Sequence, residues 1–383
     1  MNKIKKFIIL YPSWERGGAT VNLINFINYC TKEKIQTYLI SNISKTDQKT
    51  FFIKGVNFIN IKDSKNYNIY KRLSTSLSSI FLLLDLWKKI KSHDSMILSF
   101  QSHIIPIIIC KFFNRKIIFR NSEDITSATK YADNKLSAYI VFILKIFTYN
   151  FANGIITNSI KAKRSLDLIS INKDKTKLIY NPYLKKILVN KKILRKNLIL
   201  SVGRLCKQKN QIITIKAFAI FLKRFPKYKL ILIGHGYNEF KLKRLCKDLN
   251  IEKSVIFKGW VINPKKYYLK SKILIFPSLY EGLPNTLIEA VNYGLPCISS
   301  RCSGTADILT NKYGLFVDHS NYTLLANKMI NSILNYRHLI SNHKKIKKNL
   351  INFLVKPQVL KYLEYCNGVF NGEVGKYKKP KNN

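Results

Sequence analysis

The alternation of two kinds of segment constrains the fold of this chain most strongly. Short apolar segments are separated by longer stretches in which apolar residues recur at helical spacing. Parallel strands buried on both faces have short, continuous apolar sequences, and helices usually connect them. The pattern predicts strands at residues 7–10, 37–41, 96–100, 116–120 and 154–157, and then at 198–202, 229–233, 255–257, 273–276 and 297–300. It predicts amphipathic helices at 210–225 and 239–249. The fold class is therefore α/β, with doubly wound parallel sheets.

A length of 383 residues predicts two domains rather than one. The best boundary is the segment 181–196, which begins with a turn-favouring Asn-Pro pair and continues as a basic stretch. We therefore predict a first domain at 1–180, a linker at 181–196 and a second domain at 197–350, with a cleft between the domains. The helical pattern at 351–366 either belongs to the second domain or crosses back to the first. The basic tail at 367–383 is expected to be frayed.

The chain is strongly basic, because 67 Lys and Arg residues oppose 20 Asp and Glu residues, for a formal charge of +47. Both halves share the excess, with +20 over residues 1–190 and +27 over 191–383. Such a field favours anionic partners, which include phosphorylated substrates, an acidic membrane surface and nucleic acid. A compositional origin is the alternative, since the chain is also rich in the Asn and Ile that an A+T-rich genome supplies. No spacing typical of a nucleic-acid-binding module occurs, and we predict no nucleic-acid partner.

Several apolar segments bear on membrane association. None reaches about 18 uninterrupted apolar residues, because Asp85, His103 and Lys145 interrupt the candidates. Residues 3–10 predict a first buried strand rather than a cleavable signal. The segment 136–151 predicts a core helix by default, and it is also the best candidate for a helix that lies on a bilayer. Seven cysteines without a Cys-x-x-Cys pair predict reduced thiols in the cytoplasm.

Two cations follow the first strand of the second domain. Gly203 permits a tight exit from the strand at 198–202, and Arg204 and Lys209 lie just past its carboxyl end. Open α/β sheets bind ligands at that edge. A guanidinium with an ammonium suits the oxygens of a diphosphate. A solvated loop is the alternative, because cations are abundant throughout this chain.

Two carboxylates flank one turn further along the chain. Glu281 lies in the loop after the strand at 273–276, and Glu289 lies about one turn into the following helix, which Asn285 is expected to cap. Gly282 lets a ligand approach the backbone, and the amino-terminus of the helix can accept a phosphate. Glu289 is a candidate for binding ribose hydroxyls, and Glu281 for binding the hydroxyls of a sugar. A capped helix with two solvated glutamates is the alternative.

The ordered set of motifs resembles the family 4 retaining glycosyltransferases, whose GT-B architecture consists of two facing Rossmann-like domains. Glu281-x7-Glu289 matches the EX7E motif of that family. Val202-Gly-Arg-Leu, followed by Gln208-Lys-Asn, matches its donor-diphosphate strand and loop. Arg16-Gly-Gly-Ala resembles the GGA loop before its first helix. The resemblance implies a donor site in the cleft between the domains and an acceptor site on the first domain.

The resemblance also implies a role for each matching residue. Arg204 and Lys209 would neutralise the leaving nucleoside diphosphate in place of the metal ion of other glycosyltransferases, so no cofactor is expected. Glu289 would bind the ribose and Glu281 the donor sugar. The catalytic candidates are therefore Arg204, Lys209 and Glu281. The donor-binding candidates are Gly17, Gly18, Leu283, Pro284, Asn285 and Glu289.

Three positions in the first half depart from the family pattern or extend it. Thr20 stands where many members continue the glycine loop with Glu, so that contact is missing. His103 is shifted from the position expected for a histidine after the fourth strand; it is a candidate for catalysis or acceptor contact, and a satisfied loop histidine is the alternative. Arg120 follows the next strand and is an acceptor-binding candidate. The histidine and cysteine spacings predict no metal site.

The resemblance implies transfer, with retention, of a hexose or N-acetylhexosamine from a nucleotide sugar. The donor is expected to be UDP-linked, and the acceptor to be a glycan or lipid-linked glycan of cell-surface polysaccharide synthesis, such as capsule or lipopolysaccharide. The expected location is the cytoplasm, peripherally on the inner face of the cytoplasmic membrane, where a basic surface meets anionic lipid. A UDP-sugar epimerase of the same architecture, which would consume no acceptor, is one alternative. A nucleic-acid-binding protein, suggested by the charge alone, is the other.

Overall fold

The computed structural model describes residues 3–15, 17–50, 55–60, 80–81, 83–84, 95–101, 103–189 and 194–374. The chain divides into two compact units. The first unit comprises Met1–Lys185 together with Val355–Asn383, and the second comprises Lys186–Leu354. The division falls inside the segment 181–196. Arg16 of the glycine loop and residues 375–383 of the basic tail lie outside the described residues.

The described residues of the first unit form a parallel sheet with the strand order β3-β2-β1-β4-β5-β6-β7. The strands are β1 (Lys6–Leu10), β2 (Gln36–Ser41), β3 (Val56–Asn60), β4 (Ser95–Ser99), β5 (Ile117–Asn121), β6 (Gly154–Thr157) and β7 (Thr176–Leu178). The described helices up to the end of this sheet are α1 (Gly18–Lys32), α2 (Lys45–Thr50), α3 (Ile104–Phe112), α4 (Ile125–Lys130), α5 (Lys135–Tyr149) and α6 (Ile160–Asp167). β1 lies between β2 and β4, and its residues from Phe7 to Leu10 are fully buried, which explains its uninterrupted apolar sequence.

The second unit forms a parallel sheet with the strand order β10-β9-β8-β11-β12-β13. The strands are β8 (Leu198–Val202), β9 (Lys229–Ile233), β10 (Val255–Phe257), β11 (Ile273–Phe276), β12 (Cys297–Ser300) and β13 (Leu315–Val317). The helices are α7 (Gln211–Arg224), α8 (Glu239–Asp248), α9 (Lys265–Lys270), α10 (Asn285–Asn292), α11 (Thr305–Leu309), α12 (Tyr322–Leu334) and α13 (Tyr336–Ile346). Helix α7 packs against α12, and its Phe218 and Phe221 are fully buried in the core of this unit.

The C-terminal helix α14 (Val355–Phe370) completes the first unit rather than the second. It packs against α1 and contributes Val359, Tyr362 and Cys366 to the main apolar core of the first unit. The hydroxyl of Tyr365 accepts a hydrogen bond from the backbone N–H of Ile155 in β6 at 3.1 Å. The core of the first unit is therefore built from both ends of the chain.

The α/β prediction is confirmed, and the structure adds strands that the sequence pattern did not predict. All the predicted strands are present, and those of the second half have the predicted bounds. The additional strands β3, β7 and β13 all lie at sheet edges. Edge strands are short and half solvated, so polar residues such as Asn57 and Lys177 interrupt the apolar signal.

Helix α5 corresponds to the apolar segment 136–151, and its interpretation as a core helix is wrong. Only Thr148 and Tyr149 of its fifteen residues are buried. Seven of its large apolar side chains are exposed, among them Leu136 and Phe147.

The cysteines and the lengths of the helices bear on the redox state and on membrane crossing. All seven cysteines are buried, and none forms a disulfide. Among the described residues, no helix combines the length and the apolarity that a membrane crossing requires.

Candidate functional site

The strand order of the second unit reverses between β8 and β11. The chain proceeds from β8 outward to β9 and β10, and then returns to the other side of β8 to form β11. The loops that follow β8 and β11 therefore diverge and leave a crevice at the carboxyl edge of the sheet, where doubly wound folds bind ligands. Lys209 and Glu281 lie in these two loops. The topology alone thus brings the predicted cation and carboxylate to one edge.

The loop after β8 is held by backbone contacts with the loop after β9. The N–H of Gly203 donates to the carbonyl of Ile233 and that of Leu205 to the carbonyl of His235, each at 2.9 Å. Gly234 has a φ of +137°, and a Cβ at that position would lie 2.0 Å from the carbonyl oxygen of Gly203. Only glycine allows two backbones to approach this closely. The loop that carries Arg204 is therefore rigid at its base.

The loop after β8 is also bonded to the loop after β11. The side chain of Lys209 forms an ion pair with Glu281, and both side chains are largely buried, at 16% and 9% exposed. The ammonium lies 5.1 Å from the centre of the Phe276 ring, within range of a cation–π interaction. The amide of Gln208 donates to the carbonyl of Tyr280 at 2.9 Å. These contacts fix the cation and the carboxylate in one arrangement, so the solvated-loop alternative does not hold for Lys209.

Arg204 differs from Lys209 in its surroundings. Its side chain is exposed, and one guanidinium nitrogen lies 3.5 Å from Oε1 of Gln208. The backbone carbonyl of Arg204 accepts a hydrogen bond from the side chain of Gln211 at 2.8 Å. The backbone is therefore fixed while the guanidinium extends into solvent.

The turn from Glu281 to Asn285 leads directly into α10. Pro284 occupies the position before the helix, and Asn285 is its first residue, so the prediction that Asn285 caps α10 is wrong. Gly304, with a φ of +72°, packs on this turn, and a Cβ there would lie 2.0 Å from the carbonyl oxygen of Gly282. Leu283 and Pro284 are buried. The loop after β12 thus packs directly against the backbone of this turn and holds it in place.

Glu289 lies in the second turn of α10 and is oriented by a tyrosine. The hydroxyl of Tyr268, a fully buried residue of α9, donates to Oε2 of Glu289 at 2.6 Å. The ring of Tyr268 stacks on that of Tyr293, with centroids 5.6 Å apart. Burial and the negative charge of Glu289 together raise the pKa of Tyr293. The carboxylate therefore has a defined position, which contradicts a freely solvated glutamate.

Arg195 supports the helices that carry this pair, and the sequence analysis did not identify it. One guanidinium nitrogen donates to the carbonyls of Tyr268 and Ser271, each at 2.7 Å. The other donates to the carbonyls of Tyr293 and Gly294, at 2.9 and 2.7 Å. A cation at the carboxyl ends of two helices satisfies their terminal carbonyls and their dipoles. Its position in a lysine-rich stretch concealed this role.

The first unit has a switch point of its own, between β1 and β4. The loops after these strands are joined by a hydrogen bond from the N–H of Ser13 to the side chain of Gln101 at 3.1 Å. Gly17 precedes α1 in an extended conformation, and a Cβ at that position would meet nothing within 4 Å. Gly18 is the exposed first residue of α1. The glycine loop therefore leads directly into the amino-terminus of α1.

Thr20 has a structural role in place of the missing Glu. Its side chain is fully buried, its hydroxyl donates to the carbonyl of Glu15, and it lies 2.9 Å from the hydroxyl of Tyr11. These contacts close the loop that precedes α1.

His103 precedes α3 and is half buried. Its Nδ1 lies 2.9 Å from the hydroxyl of Ser99, and its ring lies 5.0 Å from that of Phe119. Burial, together with the positive charges of Lys145 and Arg120, lowers the pKa of His103 to about 3. The imidazole is therefore neutral near pH 7. Its contacts agree with a satisfied histidine, and its catalytic role stays a prediction.

Arg120 lies inside the first unit, only 1% exposed. Its Nε donates to the hydroxyl of Tyr362 in α14 at 3.0 Å, and its two terminal nitrogens donate to Ser122 and Asn181. A buried arginine bonded through all three nitrogens stabilises the packing around it. Binding of an acceptor by Arg120 would require these hydrogen bonds to be exchanged, and that role stays a prediction.

The described residues contain no group of three or more His, Cys, Asp or Glu side chains arranged to hold a metal ion. The charged groups at the edge of the second unit are instead one cation–carboxylate pair, an exposed guanidinium and a tyrosine-bound carboxylate.

Comparison with known proteins identifies the family. The family model described as "Glycosyl transferases group 1" matches residues 185–352. The capsular polysaccharide biosynthesis glycosyltransferase CapH of Staphylococcus aureus is 30% identical over 350 residues, which cover 90% of this chain and 93% of CapH.

Two further proteins are informative. A Campylobacter jejuni N-acetylgalactosaminyltransferase, named for a diphospho-undecaprenol-linked substrate, is 31% identical over 225 residues, which cover 56% of this chain and 60% of the relative. The crystal structure of a variant of S. aureus TarM in complex with UDP has a TM-score of 0.76 at 15% identity and covers 95% of this chain and 100% of that one. The predicted resemblance is confirmed, and the chain belongs to the group 1 glycosyltransferases with the GT-B fold.

Proposed function

We propose that this chain is a retaining glycosyltransferase that moves a hexose or N-acetylhexosamine from a UDP-sugar to a glycan carried on a lipid. The contact between Lys209 and Glu281 at the switch point of the second unit carries the proposal. It joins a cation suited to a diphosphate with a carboxylate suited to a sugar hydroxyl. Glu289 lies in the helix that begins at the same turn.

The chemistry of transfer explains why cations are needed at this edge. The bond between sugar C1 and the diphosphate oxygen breaks, and C1 bonds to the acceptor oxygen on the same face. The acceptor proton passes to the departing phosphate. Negative charge grows on the diphosphate as the bond breaks, so fixed positive charge stabilises the transition state more than the ground state. Lys209 provides a fixed charge, and Arg204 provides a guanidinium that reaches the phosphate from solvent.

Metal independence forms part of the proposal. The two cations supply the charge that a divalent ion would otherwise supply. Backbone N–H groups of the turn around Leu283 and Asn285 and at the start of α10 add partial positive charge for the sugar and phosphate, whereas Pro284 between them has no N–H and only shapes the turn.

Glu289 is assigned to the ribose of the nucleotide. A carboxylate that is already bonded to Tyr268 at 2.6 Å does not have to be ordered when ligand binds. Its hydrogen bonds to two neighbouring hydroxyls would select a ribonucleotide over a deoxyribonucleotide. The complex of TarM with UDP supports UDP as the nucleotide.

The acceptor is assigned from the relatives and from charge. The C. jejuni relative is named for a substrate linked to diphospho-undecaprenol, and CapH for capsular polysaccharide biosynthesis. A formal charge of +47 attracts the chain to an anionic lipid surface, on which such carriers lie. We therefore place the enzyme on the inner face of the cytoplasmic membrane.

The test uses the purified full-length protein. A thermal-shift screen with UDP, UDP-hexoses and UDP-N-acetylhexosamines should reveal a ligand that raises the melting temperature, with UDP preferred over dUDP. The selected donor is then incubated with a lipid-diphosphate-linked glycan, and the anomeric configuration of the product is read by NMR.

An α-linked product from an α-linked donor, formed equally in EDTA, is the expected result. Inversion of the anomeric centre, or loss of turnover in EDTA that Mg²⁺ restores, would overturn the corresponding part of the proposal. Conversion of the donor to its epimer without consumption of acceptor would identify the epimerase alternative instead.

A further inference from the structure

Helices α3 and α5 of the first unit, with the loop after α6, present large apolar side chains to solvent. We call this surface the apolar platform, and its principal residues are Ile108, Phe112, Leu136, Ile140, Phe147 and Ile171. Each of these side chains is between 49% and 84% exposed. Single exposed apolar residues are common on soluble proteins, but neighbouring ones in this number mark an interaction surface.

The three elements of the apolar platform are neighbours in the fold. Helix α3 packs against α5. The side chain of Asn150, at the end of α5, accepts a hydrogen bond from the N–H of Ile171 at 2.8 Å and donates to the carbonyl of Ile169 at 3.1 Å. These bonds hold the loop after α6 against the end of α5. The platform therefore extends from one helix, along the second, to the loop.

Helix α5 is apolar on both of its faces, and its central charge points away from solvent. Phe142 and Tyr149 pack inward on the core of the first unit. Lys145, the charge that interrupts the apolar sequence, is only 18% exposed and lies 3.5 Å from Glu123. The outward face is left with Leu136, Ile140 and Phe147. A helix that merely covers a core has a polar outward face, and α5 does not.

The charges beside the apolar platform are predominantly positive, with Asp133 and Asp174 the exposed acidic residues among a larger number of lysines. Helices α3 and α5 contain no Asp or Glu, and Lys111 and Lys135 are exposed at the end of α3 and the start of α5. Lys175 follows the loop of Ile171, and burial with the positive charge of Lys111 lowers its pKa. An apolar face with basic residues around it matches the interface of an anionic bilayer, where acyl chains meet negative headgroups.

The net charge decides between a bilayer and a second copy of this chain. Two copies that each carry +47 repel one another, whereas an anionic bilayer attracts the same charge. We propose that the apolar platform inserts into the headgroup region of an anionic membrane with α5 lying in the membrane plane. The docking is independent of the reaction chemistry, but its purpose rests on the proposed lipid-linked acceptor.

The test compares two triple variants of the full-length protein. The platform variant carries Phe112→Gln, Ile140→Gln and Phe147→Gln. The matched control carries Phe240→Gln, Ile262→Gln and Leu334→Gln, which are apolar positions of the second unit with a similar range of exposure, 53–81% against 52–83%. Because all six side chains are exposed, both variants are expected to keep the melting temperature of the wild type. Binding is measured by co-sedimentation with vesicles of equal phosphatidylglycerol and phosphatidylcholine, and with pure phosphatidylcholine.

The wild type and the control should bind the anionic vesicles with equal affinity and lose binding as salt rises. The platform variant should bind them at least about tenfold more weakly, because apolar insertion supplies much of the affinity. Equal binding by the platform variant would overturn the proposal. So would a dimer of the wild type, seen by sedimentation velocity without lipid, that only the platform variant loses, since the platform would then bind a second copy.

A water-soluble acceptor separates this proposal from the proposed function. Transfer to such an acceptor should be equal in the wild type and both variants. If transfer is absent in all three while vesicle binding follows the expected pattern, the reaction assignment fails and the docking surface stands.

Discussion

The two units share the order of six strands, which β7 extends in the first unit, but they differ in what they place at their switch points. In the second unit, a buried ion pair of Lys209 and Glu281 joins the two loops, and an exposed guanidinium lies beside it. In the first unit, the corresponding loops are joined by uncharged groups, Ser13 and Gln101, and lead to a glycine loop and a neutral histidine. One fold thus supports an edge whose loops are joined by a buried ion pair and an edge whose loops are joined by uncharged side chains, and the difference lies in the loop residues rather than in the sheet.

The largest expected effect comes from removing the charge of the second edge. Lys209→Ala should lower turnover at least about a hundredfold, because a preorganised charge contact to the diphosphate is lost. Lys207→Ala removes the same charge from an exposed position two residues away and should change turnover less than about threefold. The measurement is kcat with saturating donor and acceptor.

Lys209→Gln separates catalysis from folding in this comparison. Its amide can still donate to Glu281, so the melting temperature should stay closer to that of the wild type than that of Lys209→Ala does. Turnover should nevertheless stay low. Recovery of turnover in Lys209→Gln would show that Lys209 acts through loop structure and not through its charge.

The carboxylate at Glu289 provides the next comparison. Glu289→Ala should lower turnover about a hundredfold, whereas Tyr268→Phe should mainly raise KM for the donor, by about tenfold, because it removes the hydroxyl that orients the carboxylate. Isothermal titration with UDP and with dUDP gives the decisive readout. In both variants the preference for UDP should fall, and an unchanged preference in Glu289→Ala would remove the ribose assignment.

Two glycines, one from each unit, are expected to be needed for different reasons. Gly234 is needed for close packing of two backbones, and Gly17 for the approach of a ligand. Gly234→Ala should destabilise the second unit by about 1–3 kcal/mol, because its Cβ meets the backbone at Gly203 and its φ is positive. Gly17→Ala should leave the melting temperature unchanged, since its Cβ has open space. A rise in donor KM of several-fold in Gly17→Ala would then report close approach of a ligand. Wild-type kinetics would contradict the predicted role of the glycine loop.

The smallest effect concerns the neutral histidine of the first unit. The pKa of His103 is lowered to about 3, so the native state binds fewer protons than the unfolded state as pH falls below its ordinary value near 6.5. His103 therefore contributes a loss of stability on acidification of at most about 2 kcal/mol at pH 5, in addition to that of the similarly shifted His343. His103→Gln should reduce this loss, and His338→Gln, at an exposed position of α13, should not. Denaturant unfolding at pH 7 and pH 5 gives the free energy of unfolding that each variant loses on acidification. An equal loss in His103→Gln and in the wild type would contradict the prediction.

The sequence predicts the sheets and the charged edge well because both have local signals. Strands buried on two faces are apolar throughout, and Lys209, Glu281 and Glu289 lie within short motifs around single loops. The residues that hold the charged side chains of that edge in position lie in no recognisable sequence motif. Tyr268 is 21 residues from Glu289 along the chain, and Arg195 resembles every other cation in a basic stretch. Only the hydrogen bonds of Tyr268 to Glu289 and of Arg195 to the ends of both helices reveal what these two side chains do.

Helix α5 has a strong apolar signal in the sequence, but that signal does not determine whether the helix is buried. Its apolar composition favours a core helix over a helix on a bilayer, and periodicity does not correct that prediction because both faces are apolar. The decision depends on how many neighbours the rest of the unit supplies, which is a property of the tertiary fold. Edge strands such as β3 and β7 were missed for a related reason, since most of their residues are only partly buried or exposed and polar residues interrupt the apolar pattern.

The position of α14 has a consequence for biosynthesis. Arg120 is buried by partners that include Tyr362, and the core around β1 includes Val359 and Cys366. A ribosome that has translated the first 350 residues has delivered every strand but not this helix. The second unit, which is continuous in sequence, can complete its core before the first one does. Nascent chains at this stage therefore expose the part of the first unit's core that α14 covers in the folded protein. Chaperones are expected to bind this exposed apolar surface.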